Sequence, residues 1–269
     1  MTTLELQTVK LQIDGALATI VLNRPEALNA WTRALGEDML AALERACAEL
    51  GVRVIAFTGA GRAFSSGADL KSGAEFGADG KFDVLGQLRD AYNPLLARVR
   101  SLDKPVIAKV NGPAVGIGCS LALACDLVVA AESAYFLLAF VNIGLGLDGG
   151  ASLTVPLRAG HARAFEMAVL GERIPAEQAL QWGLVNRVVP DGELDESVSE
   201  LAARLAAASP GALATIKRTI NHRLYAGFEE VLELEAVLQQ ERVQSADFLE
   251  AVTAFAQGRP ARFDQGQRR

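Results

Sequence analysis

"PVIAKVNGPAVGIGCSLALACDLVVAA" (residues 105–131) carries two apolar runs, VIAKV and LVVAA, separated by a glycine-punctuated turn and the short apolar segment CSLALAC. Runs of branched and small residues without polar alternation belong to strands covered on both faces, the usual setting of a parallel sheet. The segment between them reads as a short helix that carries the chain from one strand to the next. Strand, turn, helix, strand is the signature of an α/β fold.

The same grammar extends in both directions. "RVIAF" (53–57) is a further buried strand, and it opens into the small-residue loop GAGRAFSSGADL (59–70). Upstream, VKLQI and ALATIVL flank Asp14-Gly15, which predicts a hairpin. Pro25 keeps NRPEALNAW a loop. A helix is predicted from Thr32 to Leu50, with Leu35, Met39, Leu43, Ala46 and Leu50 on one face, and another over 84–101. Past residue 190 the strand pattern ends. Helices are expected near 193–207, 211–224 and 228–256, the last with Phe248, Val252 and Phe255 at helical spacing. The chain thus divides into a strand-rich core over 1–195 and a helical region over 196–269, ending in the polar tail GRPARFDQGQRR.

Composition narrows the function. The 269 residues are 51% hydrophobic, enough for a large core, and the net charge of −6 without a dense basic run argues against nucleic acid. Three cysteines without C-x-x-C spacing and two histidines argue against a zinc or haem site. MTTLELQTVK lacks the plan of a signal peptide, and LALACDLVVAA is broken by Asp126 and too short for a bilayer. A reduced, cytoplasmic enzyme or binding protein is expected, with no membrane partner. His161 and His222 read as surface or structural residues, Cys47, Cys119 and Cys125 as packing residues, and Trp31 and Trp182 as core or interface.

The glycine loop at 59–70 is not a dinucleotide fingerprint, because Phe64 stands where the third glycine would be, and no G-K-[ST] follows for a P-loop. Ser65 and Ser66 lack a G-x-S-x-G elbow. What the loop offers is backbone. Small residues let main-chain N–H groups approach a ligand, and GPAVGIG (112–118) has the same character at a helix N-terminus. Two such donors can form an oxyanion hole; two tight strand–helix turns would leave the same trace.

Taken together, NRPEALNA (23–30), the loop at 59–70, residues 105–136 and GHARAFEMAVLGERIPAEQALQWGLVNRVV (160–189) resemble the crotonase, or enoyl-CoA hydratase/isomerase, family over nearly the whole chain. The resemblance implies a spiral of β-β-α units with a C-terminal helical region, a homotrimer or a dimer of trimers, and an acyl-CoA substrate whose coenzyme A enters with the substrate, so that no separate cofactor is needed. It places the two oxyanion amides at Ala68 and Ile117. It puts Ser66, Gly67, Asp69, Leu70 and Lys71 beside the CoA moiety, Ala27 in the pantetheine-contacting loop, and Gly116, Ser120 and Phe140 near the acyl group. Arg62, Lys71, Lys217 and Arg218 are candidates for the CoA phosphates or for solvated surface.

Where the family's hydratases carry two glutamates, this chain has Ser120 and Phe140, neither of which does acid–base work near neutral pH. AYNPLLARVRSLDKPVI and FVNIGLGLDGG instead resemble ring-1,2-epoxyphenylacetyl-CoA isomerases and Δ3,Δ2-enoyl-CoA isomerases, whose acid–base aspartate matches Asp148. The same aspartate, just ahead of GGASLTVPL, is placed to cap a helix. The resemblance therefore implies enolate-forming isomerisation with Asp148 as acid and base. A hydratase of altered specificity, a thioester dehalogenase or hydrolase with Asp148 as nucleophile, and a non-catalytic acyl-CoA-binding relative are the alternatives.

Overall fold

A computed structural model of the chain describes residues 2–71, 75–77 and 80–263. Among these residues ten strands form two sheets: β1 (Thr2–Glu5), β2 (Val9–Asp14), β3 (Leu17–Leu22), β4 (Val54–Gly59), β5 (Val106–Val110), β6 (Ala114–Val115), β7 (Leu127–Ala131), β8 (Tyr135–Leu137), β9 (Ile174–Pro175) and β10 (Arg187–Val189). The large sheet has the order β1-β2-β3-β4-β5-β7-β10, antiparallel up to β3 and parallel from β3 onward. The small one has the order β6-β8-β9.

The continuous apolar runs have the cause expected of them. On β4, Ile55 and Phe57 enter one core while Val54 and Ala56 enter another. On β7, Val128 and Ala130 divide from Val129 and Ala131 in the same way. The period-2 alternation of side chains feeds two apolar layers, so no residue is left to be polar.

Eleven helices among the described residues complete the molecule: α1 (Arg33–Ala48), α2 (Val84–Gln87), α3 (Asn93–Ser101), α4 (Ile117–Ala124), α5 (Ala151–Ala159), α6 (His161–Leu170), α7 (Ala176–Gln181), α8 (Leu194–Ala207), α9 (Pro210–Leu224), α10 (Phe228–Val243) and α11 (Ala246–Ala256). The spiral is visible in how each turn leaves the large sheet. After β3 the chain bridges at Trp31 to Ala68, after β4 at Ser65 to Ala114, and after β5 and β7 through β6 and β8. Strand, short bridging strand and helix repeat, and the short strands line up as a second layer over which the site is built.

Three expectations need adjusting. The predicted helix over 84–101 is α2 and α3 joined by a wide π turn, Leu88–Tyr92. The predicted helix over 228–256 is two helices, because Ser245 adopts extended backbone and its hydroxyl accepts the Phe248 amide at 3.3 Å, an N-cap that starts α11 afresh. Third, α8 belongs with the sheet: Leu194, Val198, Leu201 and Ala202 pack on Val54, Ala56, Ile107 and Val129, so residues on both sides of position 195 share one core. Residues 264–269 of the polar tail lie outside the described residues. No described helix is long and apolar enough to cross a membrane.

Candidate active site

Two loops of small residues meet at the carboxyl ends of β4 and β5. Ser65 N–H donates to the Pro113 carbonyl and Val115 N–H to the Ser65 carbonyl, both at 2.9 Å. The close approach depends on glycine. At Gly67 φ is +90°, and an added Cβ would lie 3.1 Å from the Val115 oxygen. At Gly116, the cap of α4, φ is +52°.

The geometry leaves two amides pointing outward. Trp31 N–H donates to Gly67 O at 2.8 Å and Asp69 N–H to Trp31 O at 2.9 Å. In a parallel bridge of this kind the flanking residues serve the partner, so the middle residue, Ala68, turns its own N–H to the other side. Ile117 is the first residue of α4, where helix amides have no partner within the helix and carry partial positive charge. Among the described residues neither Ala68 N–H nor Ile117 N–H donates to a protein acceptor. Both residues line one cavity of about 1030 Å³.

Ala27, Ser66, Gly67, Asp69, Leu70, Lys71, Gly116, Phe140 and Asp148 line the same cavity. Ser66 Oγ donates to the Ala27 carbonyl at 3.3 Å, tying the two loops together. Asp69 is engaged in building the wall: its carboxylate pairs with Arg24 at 2.9 Å and accepts the Lys71 amide at 3.0 Å. Leu88, Leu145 and Phe140 give the lining apolar surface, Phe76, Phe82, Phe248 and Phe255 add aromatic rings, and Glu26, Glu75 and Arg259 add charge.

Asp148 is buried in this wall. It does not cap α5, contrary to the alternative reading of its position. Two glycines separate it from Ala151, the cap residue is Gly150, and no side chain of that segment caps the helix. The capping carboxylate comes from α10. Glu235 accepts the Gly150 amide at 2.6 Å and the Ser152 amide at 2.9 Å. One turn later on the same face, Gln239 donates to Asp148 Oδ2 at 3.1 Å and accepts the Gly146 amide at 3.0 Å. Among the described residues Asp148 Oδ1 has no hydrogen-bond partner. Burial is the main reason that its carboxyl is pushed up to about 8, the Glu235 charge adds to it, and the Gln239 hydrogen bond opposes it. Burial likewise raises Glu235, against the bonds from Ser152 and Gly150. A carboxyl poised near neutrality beside two outward amides can take a proton from a carbon while the amides hold the oxygen that gains charge.

Two other expectations are corrected. Ser120 does not reach the cavity: it is fully buried, and its hydroxyl donates to the Asp148 carbonyl at 2.9 Å, so it supports the loop from behind. Lys217 faces inward, donating to Asp126 at 2.7 Å and to the carbonyls of Val99 and Lys104, which removes it from any role with phosphates. Arg218 pairs with Asp103, and neither it nor Arg62 lines the cavity. Cys119 and Cys125 are buried, Cys47 half-buried.

Glu235, Gln239 and Tyr92 belong to the site and were not read from sequence. For the first two a signal existed: polar residues four apart share a helical face with Leu232, Ala236 and Val243, and polar groups on a buried face need partners.

Comparisons with known proteins give the family of the chain. The enoyl-CoA hydratase/isomerase family model matches residues 12–267. A probable enoyl-CoA hydratase of Rhodobacter capsulatus is 43% identical over 95% of this chain and 97% of its own length. The 1,2-epoxyphenylacetyl-CoA isomerase of Escherichia coli is 37% identical over 93% of this chain and 96% of its own. The crystal structure of an enoyl-CoA hydratase from Mycobacterium avium subsp. paratuberculosis superposes with a TM-score of 0.86 at 37% identity, covering 97% of this chain and all of the other. A spiral of β-β-α units, two outward amides where its second layer closes, and a match over nearly the full length make this chain a member of the enoyl-CoA hydratase/isomerase family.

Proposed function

We propose that the protein isomerises the double bond of an enoyl-CoA thioester through an enolate held by the Ala68 and Ile117 amides, with Asp148 carrying the proton. The observation that carries this reading is a buried carboxylate, Asp148, that lines the same cavity as those amides and that burial raises to about 8. In the forward sense, the ionised carboxylate removes a proton from the carbon next to the thioester carbonyl. The electron pair moves onto the carbonyl oxygen, which the two N–H groups stabilise. The protonated Asp148 then returns the proton to the far carbon of the dienolate, and the double bond shifts by one position. At pH 7 a group titrating near 8 is ionised in about one molecule in ten, so the free enzyme keeps a usable fraction of base.

Hydration is the second reading, favoured by the name of the Rhodobacter capsulatus relative. Against it stands the shortage of acid–base groups: Ser120 is occupied behind the loop and Phe140 is apolar. Asp148 as a nucleophile remains the reading for a dehalogenase or hydrolase, but a carboxyl held largely protonated is a poor one. The test is a panel of 3-enoyl-, 2-enoyl- and ring-epoxide CoA thioesters given to the wild type and to Ala68→Pro. Isomerisation should dominate and fall by about 10²–10³ in the variant, which lacks one oxyanion donor. Dominant hydration would refute the isomerase reading, and full activity of folded Ala68→Pro would refute the oxyanion assignment.

The reading extends to assembly as a trimer or a pair of trimers. Ile216, Ile220 and Leu224 form an exposed apolar stripe on α9, and Leu234 and Leu238 form another on α10. Such stripes are what a subunit contact would cover.

A further inference from the structure

The helix that carries the second outward amide ends on two arginines. α4 is buried along its whole length, and the last carbonyls of a helix have no partner within it. Arg158 of α5 donates to the Leu123 carbonyl at 3.0 Å, to that of Cys125 just past the helix, and to that of Leu184 at 3.1 Å. Arg100 of α3 donates to the Ala124 carbonyl at 2.8 Å. At its other end α5 follows the Asp148 loop, where the Asp148 carbonyl accepts the Ser120 hydroxyl of α4. The two helices are thus tied twice, near the reacting groups by Ser120 and at the far end by Arg158.

A neutral side chain could satisfy a carbonyl as well, so the charges call for a reason of their own. Arg158 forms no ion pair among the described residues, and burial holds its pKa below the ordinary arginine value. Burying a cation without a carboxylate is costly. Arg100 lies over the Tyr225 ring, 3.9 Å from its centroid, and shares Asp126 with Lys217 of α9. Three cations against one carboxylate leave a net positive cluster at the C-terminal end of α4, the negative end of the helix dipole. α4 has eight residues, so the cluster lies about 15 Å from an oxygen at the Ile117 amide, with buried helix between.

We propose that Arg158 and Arg100 are positioning residues for the oxyanion hole: they fix the far end of α4 and offset its negative pole, so that the Ile117 amide meets an oxygen gaining charge with a stronger positive field. This rests on the oxyanion reading above. A unit charge about 15 Å away, at an effective dielectric constant of about 20, changes the rate of a step that charges that oxygen about sixfold.

The experiment reads the field at the carbonyl by infrared spectroscopy of butanoyl-CoA, labelled with carbon-13 at the thioester carbonyl, bound to the wild type, Arg158→Gln, Arg158→Lys and Lys217→Met. In the wild type the carbonyl stretch should lie below that of the free thioester. Arg158→Gln and Lys217→Met each remove one positive charge and should move the stretch back toward the free value. In turnover each should lower kcat about sixfold and leave KM unchanged, because the ground-state carbonyl carries far less charge. Arg158→Lys keeps the charge and should keep the wild-type stretch. A lowered melting temperature with the stretch unmoved in Arg158→Gln and Lys217→Met would show a purely structural role and overturn the proposal. Arg158→Lys behaving like Arg158→Gln would overturn it too. Should Arg158→Gln not fold, Lys217→Met decides by the same criterion. A wild-type stretch equal to that of the free thioester would overturn the oxyanion reading itself and this proposal with it, so the two failures are told apart. No turnover is needed for the spectrum, so failure of the isomerase reading alone would leave it in place.

Discussion

Replacing Asp148 by asparagine removes one titrating carboxyl and nothing else of size, and the structure says what that is worth. In the unfolded chain the group titrates near 3.8; in the folded protein burial and Glu235 carry it to about 8. Between those values the unfolded state sheds its proton while the folded state keeps it. Stability is therefore full below pH 4 and falls as pH rises toward 8. The slope is about 1.4 kcal/mol per pH unit, and the whole window amounts to about 6 kcal/mol as an upper figure. Asparagine does not titrate, so the stability gap between Asp148→Asn and wild type should widen with pH. It should grow by about 2–3 kcal/mol between pH 5 and 7 while isomerisation is abolished. Chemical denaturation of both proteins across pH 5–8 measures the gap, and every other titrating group cancels in the difference except Glu235, whose coupling only sharpens it. A gap independent of pH would refute the buried, proton-holding carboxyl and with it the account of its basicity. Function and stability are opposed at this residue.

Glu235→Gln should move the acid limb of the pH–rate profile downward, because Asp148 loses the neighbouring charge that helps to raise it, and should cost about 0.5–2 kcal/mol in stability from the weakened cap of α5. An unmoved limb would mean that burial alone sets the carboxyl. Light scattering at micromolar concentration should report three or six subunits; a stable monomer would show that the stripes on α9 and α10 serve some other purpose.

Much of this was legible in the sequence because parallel strands buried on both faces leave few polar positions: LVVAA has none, and VIAKV has only Lys109, which pairs with Asp195 on α8. The hairpin was read one residue early, since Asp14 pairs with Leu17 and the loop is Gly15-Ala16. The break at Ser245 was written in the chain, a serine three residues before Phe248, but the apolar spacing on either side concealed it. The outward amides at Ala68 and Ile117 follow from small residues at strand ends plus the resemblance. Asp148 also reads as a cap in the sequence, and the structure removes that role, because the capping carboxylate arrives from 83 to 85 residues further along, a distance over which periodicity carries no information. Lys217 was misread for the same reason: its partner Asp126 lies 91 residues away.

The face of α10 that holds Glu235 and Gln239 gives the order of synthesis a meaning. All seven strands of the large sheet, both loops with their outward amides and Asp148 itself lie before residue 190. A growing chain that has reached that point has Ala68, Ile117 and Asp148 and lacks the two side chains that fix the loop between Gly146 and Ser152. Domains of this size fold largely as the ribosome delivers them. Once α8 has followed to cover the second core, the nascent protein has its scaffold while the loop that carries Asp148 is untethered, and that loop is fixed only when α10 closes over it.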